Sequence, residues 1–263
     1  MATKYQDILY DVDAAHKARF DRLCREAASA PRGIGDEGIG TLGEKRMHAI
    51  IKRYLCEDHT HHEVGVLNTG YVSDVRIGND VYEVQTGAFY PMKKKIAHYL
   101  ERTDCVVTVV HPIAVERTVC WVDSKTGEVS PPARSPKRER PCHLLPELYC
   151  LLPYLGNPRL RFRLLMLTER DFRTLTGRRD NRKRGARLWE RMPLSLEGEL
   201  EFSSPADFAA LLPPDLPSHF TVKDLSSLTG LRGRDAYSAA HVLDALGVIS
   251  SADPIGRAMA FRW

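Results

Sequence analysis

The sequence predicts an α/β chain with a mixed sheet flanked by helices, followed by a small helical unit that ends in a β-ribbon. Three observations carry this reading. An amphipathic helical stripe precedes three short strand-like runs. A second helical stripe and the β-branched run CVVTVVHPI come after them, and the proline-rich break LLPPDLPSH sets residues 218–263 apart. Helix, three strands, helix, strand is the order of an α/β unit with a mixed sheet.

The first helix is expected over residues 5–28, where Ile8, Ala15, Phe20 and Leu23 share a side. A Gly-rich loop, PRGIGDEGIG, separates it from TLGEKRMHAIIKRYL, in which Met47, Ile50, Ile51, Tyr54 and Leu55 form the apolar stripe of an amphipathic helix. Strands follow near 62–67, 71–77 and 81–86, with turns at 68–70 and 78–80; the second turn, GND, is short enough for an antiparallel hairpin. Pro91 opens a helix whose apolar face is Met92, Ile96, Tyr99 and Leu100. CVVTVVHPI reads as a buried central strand and TVCWVD as a further strand.

From 128 to 141 the composition changes to EVSPPARSPKRERP, expected as a linker or mobile basic loop. LLPELYCLLPYL and the strand-like RFRLLMLTERDF are expected to pack back on the first domain, and TGRRDNRKRGARLWER is a strongly basic stretch. In the last segment, Val222, Leu225 and Leu228 mark a short helix ending at Thr229 and Gly230. Ala236, Ala239, Ala240, Leu243 and Leu246 form the inner side of the next helix, before a turn SADPIG and a strand AMAFRW. Two short helices, a Gly turn and a terminal ribbon make a winged helix-turn-helix. The expected domains are 1–210, with a basic insertion near 127–191, and 218–263.

At 263 residues with 43% hydrophobic content the chain can form one large or two smaller packed domains. Long apolar runs are missing and the N-terminal stretch MATKYQDILYDVDAAH is acidic, which places the chain in the cytoplasm and away from membranes. Six scattered cysteines without a CxxC pair read as free buried thiols. His59, His61 and His62 in EDHTHHE are metal-capable, but a polar run between helix and strand reads as a solvated loop. Net charge is +4, unevenly placed: residues 134–191 hold 16 Lys and Arg against 6 Asp and Glu, so this region suits polyanions.

Hydrolysis of a phosphodiester calls for a divalent cation held by rigid carboxylates. Asp74 lies late in one predicted strand and Glu83 early to middle in its partner, across the tight turn. Glu83 and Gln85 are two apart and share a face, away from Tyr82 and Val84. Two carboxylates among apolar neighbours are electrostatically costly without a cation.

The pattern Ser73-Asp74-(x)8-Glu83-Val84-Gln85, between an amphipathic helix and a second helix with a β-branched strand, resembles the PD-(D/E)xK nuclease superfamily in an E-x-Q form, over about residues 41–123. The resemblance implies a restriction-endonuclease-like sheet and a Mg²⁺ ion, for which Mn²⁺ can substitute, held by Asp74, Glu83 and the Val84 carbonyl. It puts Gln85 where the usual lysine orients the attacking water. Serine replaces the customary proline before Asp74, and Gln85 carries no charge. Lys93, Lys94 or Lys95 on the next helix are candidates for that cation, Lys95 sharing a face with Met92 and Tyr99; the alternative is a phosphate-facing or solvated surface. Glu44 either assists the metal or closes a capping box with Thr41.

Arg178, Arg179, Arg182, Lys183, Arg184 and Arg187, with Lys93 and Lys95, suit a phosphate backbone. Arg232, Arg234 and Tyr237 open the second C-terminal helix, the part of a winged helix that meets base edges; docking or dimerisation is its other use. The expected function is a divalent-metal-dependent DNA endonuclease. The alternatives are a non-catalytic DNA-binding regulator that retains the fold, and an RNA-processing nuclease. DNA is the expected partner, with a homodimer or protein partner at the winged helix.

Overall fold

The β-branched runs join one mixed sheet, and the amphipathic stripes cover its two faces. The computed structural model describes residues 12–29, 46–67, 69–123, 126–175 and 186–263. Helix α1 is Ala14–Ser29 and α2 is Arg46–Leu55. Strands β1 (His62–Val66), β2 (Tyr71–Ile77) and β3 (Asp80–Val84) follow, then α3 (Lys93–Arg102) and β4 (Val106–Val122). After β5 (Ala133–Arg134) and α4 (Leu144–Leu148) come the long strands β6 (Leu160–Leu175) and β7 (Ala186–Phe202).

The sheet order is β1-β2-β3-β4-β6-β7, with β5 paired to β4. The first three strands form an antiparallel meander, β3, β4 and β6 are parallel neighbours, and β7 returns antiparallel to β6. The tight turn between β2 and β3 sets Ile77 against Asp80, with Gly78 at φ 61, a left-handed conformation that a Cβ disfavours. A parallel step from β3 to β4 needs a crossover, which α3 supplies, burying Ile96, Tyr99 and Leu100. Phe20, Leu23, Met47, Ile50, Ile51 and Tyr54 of α1 and α2 form a separate buried cluster with Val84, Val110 and Leu196. The fold class is therefore α/β, a mixed sheet flanked by helices.

Several expectations change on contact with the structure. CVVTVVHPI and TVCWVD are not two strands but one, β4, which continues through Pro112. The Val110 carbonyl accepts the Gln85 N–H, so residue 112 directs its backbone toward the side where β3 has already ended. The missing proline N–H therefore interrupts no ladder. Residues 128–141 are not a linker: β5 pairs with β4, and Glu139 accepts a hydrogen bond from the Ala114 N–H at 3.0 Å. SADPIG is not a turn but most of β9, and the chain reverses at Gly256, φ 64. Strand β7 has no counterpart in the expectations, although Met192, Leu194, Leu196, Leu200 and Phe202 keep period two within it.

At the C-terminus β8 (His219–Thr221), α5 (Val222–Thr229), α6 (Arg234–Ala245), β9 (Ser250–Ile255) and β10 (Ala258–Arg262) follow in order, with sheet order β8-β10-β9. Thr221 and Asp224 form a capping box at the start of α5, and Gly230, φ 80, ends it. Helix α6 packs on α4, and one buried cluster runs from Val81 and Phe89 through Leu144 and Leu148 to Ala239, Leu243 and Phe261. Among the described residues, no helix is long and apolar enough to cross a membrane.

Candidate active site at the β2–β3 hairpin

The site grows out of strand register. Val75 faces Tyr82 in the antiparallel β2–β3 ladder, so the next step along brings Asp74 opposite Glu83. There the main-chain ladder gives way to a side chain: the Val84 N–H donates to Asp74 Oδ2 at 2.7 Å. Alternation along β3 sends Tyr82 and Val84 toward the α1–α2 cluster, while Val81 joins the α3 side. Glu83 meets α3 directly, its Oε1 accepting from the Tyr99 hydroxyl at 2.9 Å and its Oε2 from the Lys95 ammonium at 2.5 Å. Lys95 and Tyr99 reach one carboxylate because residues four apart share a helix face. On α2, His48 Nε2 lies 3.2 Å from Asp74 Oδ2.

These contacts divide the two acids. Glu83 is 4% exposed. Burial pushes its carboxyl up to about 7, the Asp74 charge adds to this, and the Lys95 ammonium opposes it. Burial acts the same way on Asp74, but the His48 contact, the Val84 N–H and the Lys95 charge hold it below the ordinary carboxylate range. At neutral pH the pair thus carries one firm charge on Asp74 and a second on Glu83 that a nearby cation would stabilise.

Gln85 stands at the exit of β3. Its N–H donates to the Val110 carbonyl at 2.9 Å, its side-chain Nε2 donates to the Ala88 carbonyl at 2.6 Å, and its carbonyl accepts from His111 Nδ1 at 2.5 Å. Burial holds the His111 imidazolium below its ordinary pKa, and a carbonyl can only accept, so the neutral ring carries its proton on Nδ1. Among the described residues, the structure brings together Asp74, Glu83, Lys95, His48 and Tyr99, while the Gln85 amide closes the following turn. Glu44 lies outside the described residues, as do Arg178, Arg179, Arg182, Lys183 and Arg184. Lys94 is exposed, Lys93 half-buried, Arg187 exposed on β7, and Arg232, Arg234 and Tyr237 exposed around the start of α6.

Sequence reasoning passed over His48 and Tyr99 as chemistry. The signal for His48 was its place on α2 one turn after Glu44; that for Tyr99 was its place one turn after Lys95. The histidine run of residues 59–62 is occupied otherwise: His61 Nδ1 lies 2.8 Å from the Arg76 carbonyl and His62 Nε2 2.8 Å from the Cys56 carbonyl. All six cysteines are free.

Among the described residues, no group of three or more His, Cys, Asp and Glu side chains is placed to hold a metal ion. The donor chemistry of the pair nonetheless fits a hard divalent cation, because both groups offer carboxylate oxygens and the Lys95 ammonium already stabilises negative charge on Glu83. Asp74 Oδ1 has no partner among the described residues.

Residues 45–203 match the family described as Domain of unknown function (DUF8091). The chain belongs to that family. The matched region spans α2 to the end of β7, so it contains the sheet and both carboxylates and stops before the C-terminal three-stranded unit. Neither a curated protein nor a solved structure matches the chain.

Proposed function

We propose that this chain is a divalent-metal-dependent nuclease that hydrolyses phosphodiester bonds in DNA, with Asp74 and Glu83 as the cation's ligands. The observation that carries the reading is the opposition of Asp74 and Glu83 on adjacent strands, with Lys95 on Glu83. The order α2-β1-β2-β3-α3-β4, with a meander followed by a parallel crossover, supports a restriction-endonuclease-like core. A Mg²⁺ or Mn²⁺ ion held by the two carboxylates and the Val84 carbonyl would supply the charge that acidifies a water and neutralises a phosphate. Lys95 brings the positive charge that Gln85 lacks and would stabilise negative charge developing on the reacting phosphate or water. His48 keeps Asp74 ionised and Tyr99 fixes the Glu83 carboxylate.

The C-terminal order β8-α5-α6-β9-β10 and its sheet order support a winged helix, with Arg232, Arg234 and Tyr237 facing DNA or a protein partner. A homodimer would let two such sites cut both strands of a duplex. One observation favours a second reading. The Gln85 amide is spent on Ala88, which suits a non-catalytic DNA-binding regulator that retains the fold.

The deciding experiment is cleavage of supercoiled and linear DNA, and of RNA, with Mg²⁺ or Mn²⁺, by the wild-type protein and by Asp74→Ala and Glu83→Ala. Metal-dependent cutting of DNA lost in both variants is expected. Absence of cutting by the wild type with DNA binding intact would point to the regulator, and cutting of RNA alone to an RNA-processing enzyme.

A further inference from the structure

Helix α4 stands between the C-terminal unit and the carboxylate site. Its segment, LLPELYCLLPYL, puts Leu144, Leu145, Leu148 and Leu151 at helical spacing on one side. All four are fully buried, in one cluster with Ala236, Ala239, Ala240 and Leu243 of α6. The apolar side of α6 is thus covered by a helix from the middle of the chain, although β6 and β7 intervene. Just before α4, Arg140 Nη1 donates to the Leu228 carbonyl at 3.1 Å, one of the last carbonyls of α5, which its own helix leaves open. From α4 itself, Glu147 Oε2 accepts from the Phe89 N–H at 3.0 Å, and Phe89 follows the Ala88 carbonyl that holds the Gln85 amide.

The connection before this unit is packed down as well. Leu211 and Leu216 of LLPPDLPSH are buried in the same cluster, and the Trp263 indole N–H donates to the Pro217 carbonyl at 2.9 Å. The opposite side of α6 is open: Arg234, Tyr237 and His241 are exposed at i, i+3 and i+7. The turn Tyr149–Tyr154 that continues α4 packs on α6 and sets Tyr149, 48% exposed, with its ring centroid 6.3 Å from that of His241. Arg232 and Arg234 enter no ion pair among the described residues. Asp235 is exposed next to Arg234, but consecutive residues on a helix point about 100° apart.

Resting on the proposed DNA-cutting role, we infer that α6 and Tyr149 form one interface for duplex DNA, and that α4 fixes its register against the Asp74–Glu83 hairpin. Helix α6 is a rod about 18 Å long, and its open side enters a major groove, with Arg234 and Tyr237 at the N-terminal end where base edges are met. A lone strand has no groove to receive a helix. Tyr149 stands outside α6, where phosphates rim the groove, and its hydroxyl donates to a phosphate oxygen. Packing sets how tight the register is. One step along a DNA strand is about 3.4 Å. Close-packed leucines do not slide that far, so the hairpin meets the duplex at one distance from the bases that α6 reads.

The test needs no catalysis, so its failure and that of the nuclease reading are separable. Asp74→Ala protein in chelator selects from a pool of duplexes with a randomised central segment. An enriched sequence is expected, bound more tightly as duplex than as either single strand. Adding Arg234→Ala should relax the preference at one base pair and weaken binding of the enriched duplex about fivefold to a hundredfold. Adding Tyr149→Phe keeps the ring beside His241 and should weaken every duplex alike, about tenfold. With benzoylphenylalanine in place of the exposed Tyr90, in the turn after Gln85, photocrosslinks to the enriched duplex should fall on one base pair or its immediate neighbours. Crosslinks that are absent or spread along the duplex overturn the proposal. So do a pool without enrichment, single strands bound as tightly, or a Tyr149→Phe protein with unchanged affinity. A single crosslink site on a duplex that the wild type does not cut with Mg²⁺ upholds this interface and counts against the nuclease reading alone.

Discussion

The Lys95 ammonium donates to Glu83 Oε2 at 2.5 Å, and Glu83 stands opposite Asp74 across the β2–β3 ladder. A cation from α3 thus answers two carboxylates from the sheet. On the nuclease reading it would stand in for the lysine that the E-x-Q pattern lacks. Lys95→Met should therefore lower DNA cleavage by about a hundredfold or more, the usual loss when a charge aimed at the reacting centre is removed. Lys95→Arg should recover part of it. Single-turnover rates at saturating metal measure both, and wild-type rates in the Met variant would remove Lys95 from the mechanism.

Glu83 should make the apo protein less stable at high pH. Its folded-state carboxyl is raised to about 7, so the fold favours the protonated form, and stability declines as pH rises from the ordinary carboxylate range through about 7. Glu83→Gln removes that decline. Melting in chelator should show the variant a few degrees more stable than wild type at about pH 8 and close to it at about pH 5. An equal loss of stability at both values would mean that Glu83 is a structural acid.

On the nuclease reading, His48 would act on the metal through Asp74. With His48→Ala the Asp74 carboxyl loses the contact that offsets its burial. The Mg²⁺ concentration for half-maximal cleavage should rise about tenfold to a hundredfold. His48→Asn, which keeps a donor, should rise less. A metal titration indistinguishable from wild type in both variants would leave His48 without a part in the site.

Arg117 is 6% exposed and touches Glu169, itself 1% exposed, while also reaching Glu139. Arg117→Met strips the buried Glu169 of its nearer cation, leaving it Arg191 at 3.2 Å, and should lower the unfolding free energy by at most roughly 3–5 kcal/mol. Glu169→Gln in the same chain should return part of the loss, since it removes one of the stranded charges. Urea denaturation of the two proteins gives the comparison.

Much of the core was legible. The apolar stripe of α2 was read at Met47, Ile50, Ile51, Tyr54 and Leu55, of which the first four are buried and Leu55 is half-buried. The hairpin at 78–80 was legible because its turn must be made by residues such as Gly78. In the C-terminal unit Ala236, Ala239, Ala240 and Leu243 are the inner side of α6, as their spacing required. Local periodicity finds such elements because each one carries its own pattern.

Where the chain depended on a distant neighbour, the reading ran out. Pro112 looks like a strand end, and only the early termination of β3 lets β4 pass through it. Residues 128–141 look like a linker because their partners, Ala114 and Arg117, lie far back along the chain.

By itself the sequence determined the α/β order, the helix faces and the adjacency of Asp74 and Glu83, because periodicity and a short turn act over a few residues. Tertiary structure decided which groups serve those acids: Lys95 from among three consecutive lysines, His48 from α2, Tyr99 from an apolar stripe. It also decided that Trp121, Arg173 and Leu188 form one row. The physical reason is the same in each case. Charge stabilisation and cross-strand contact depend on distance in space, and those distances are set only when helices pack on the sheet.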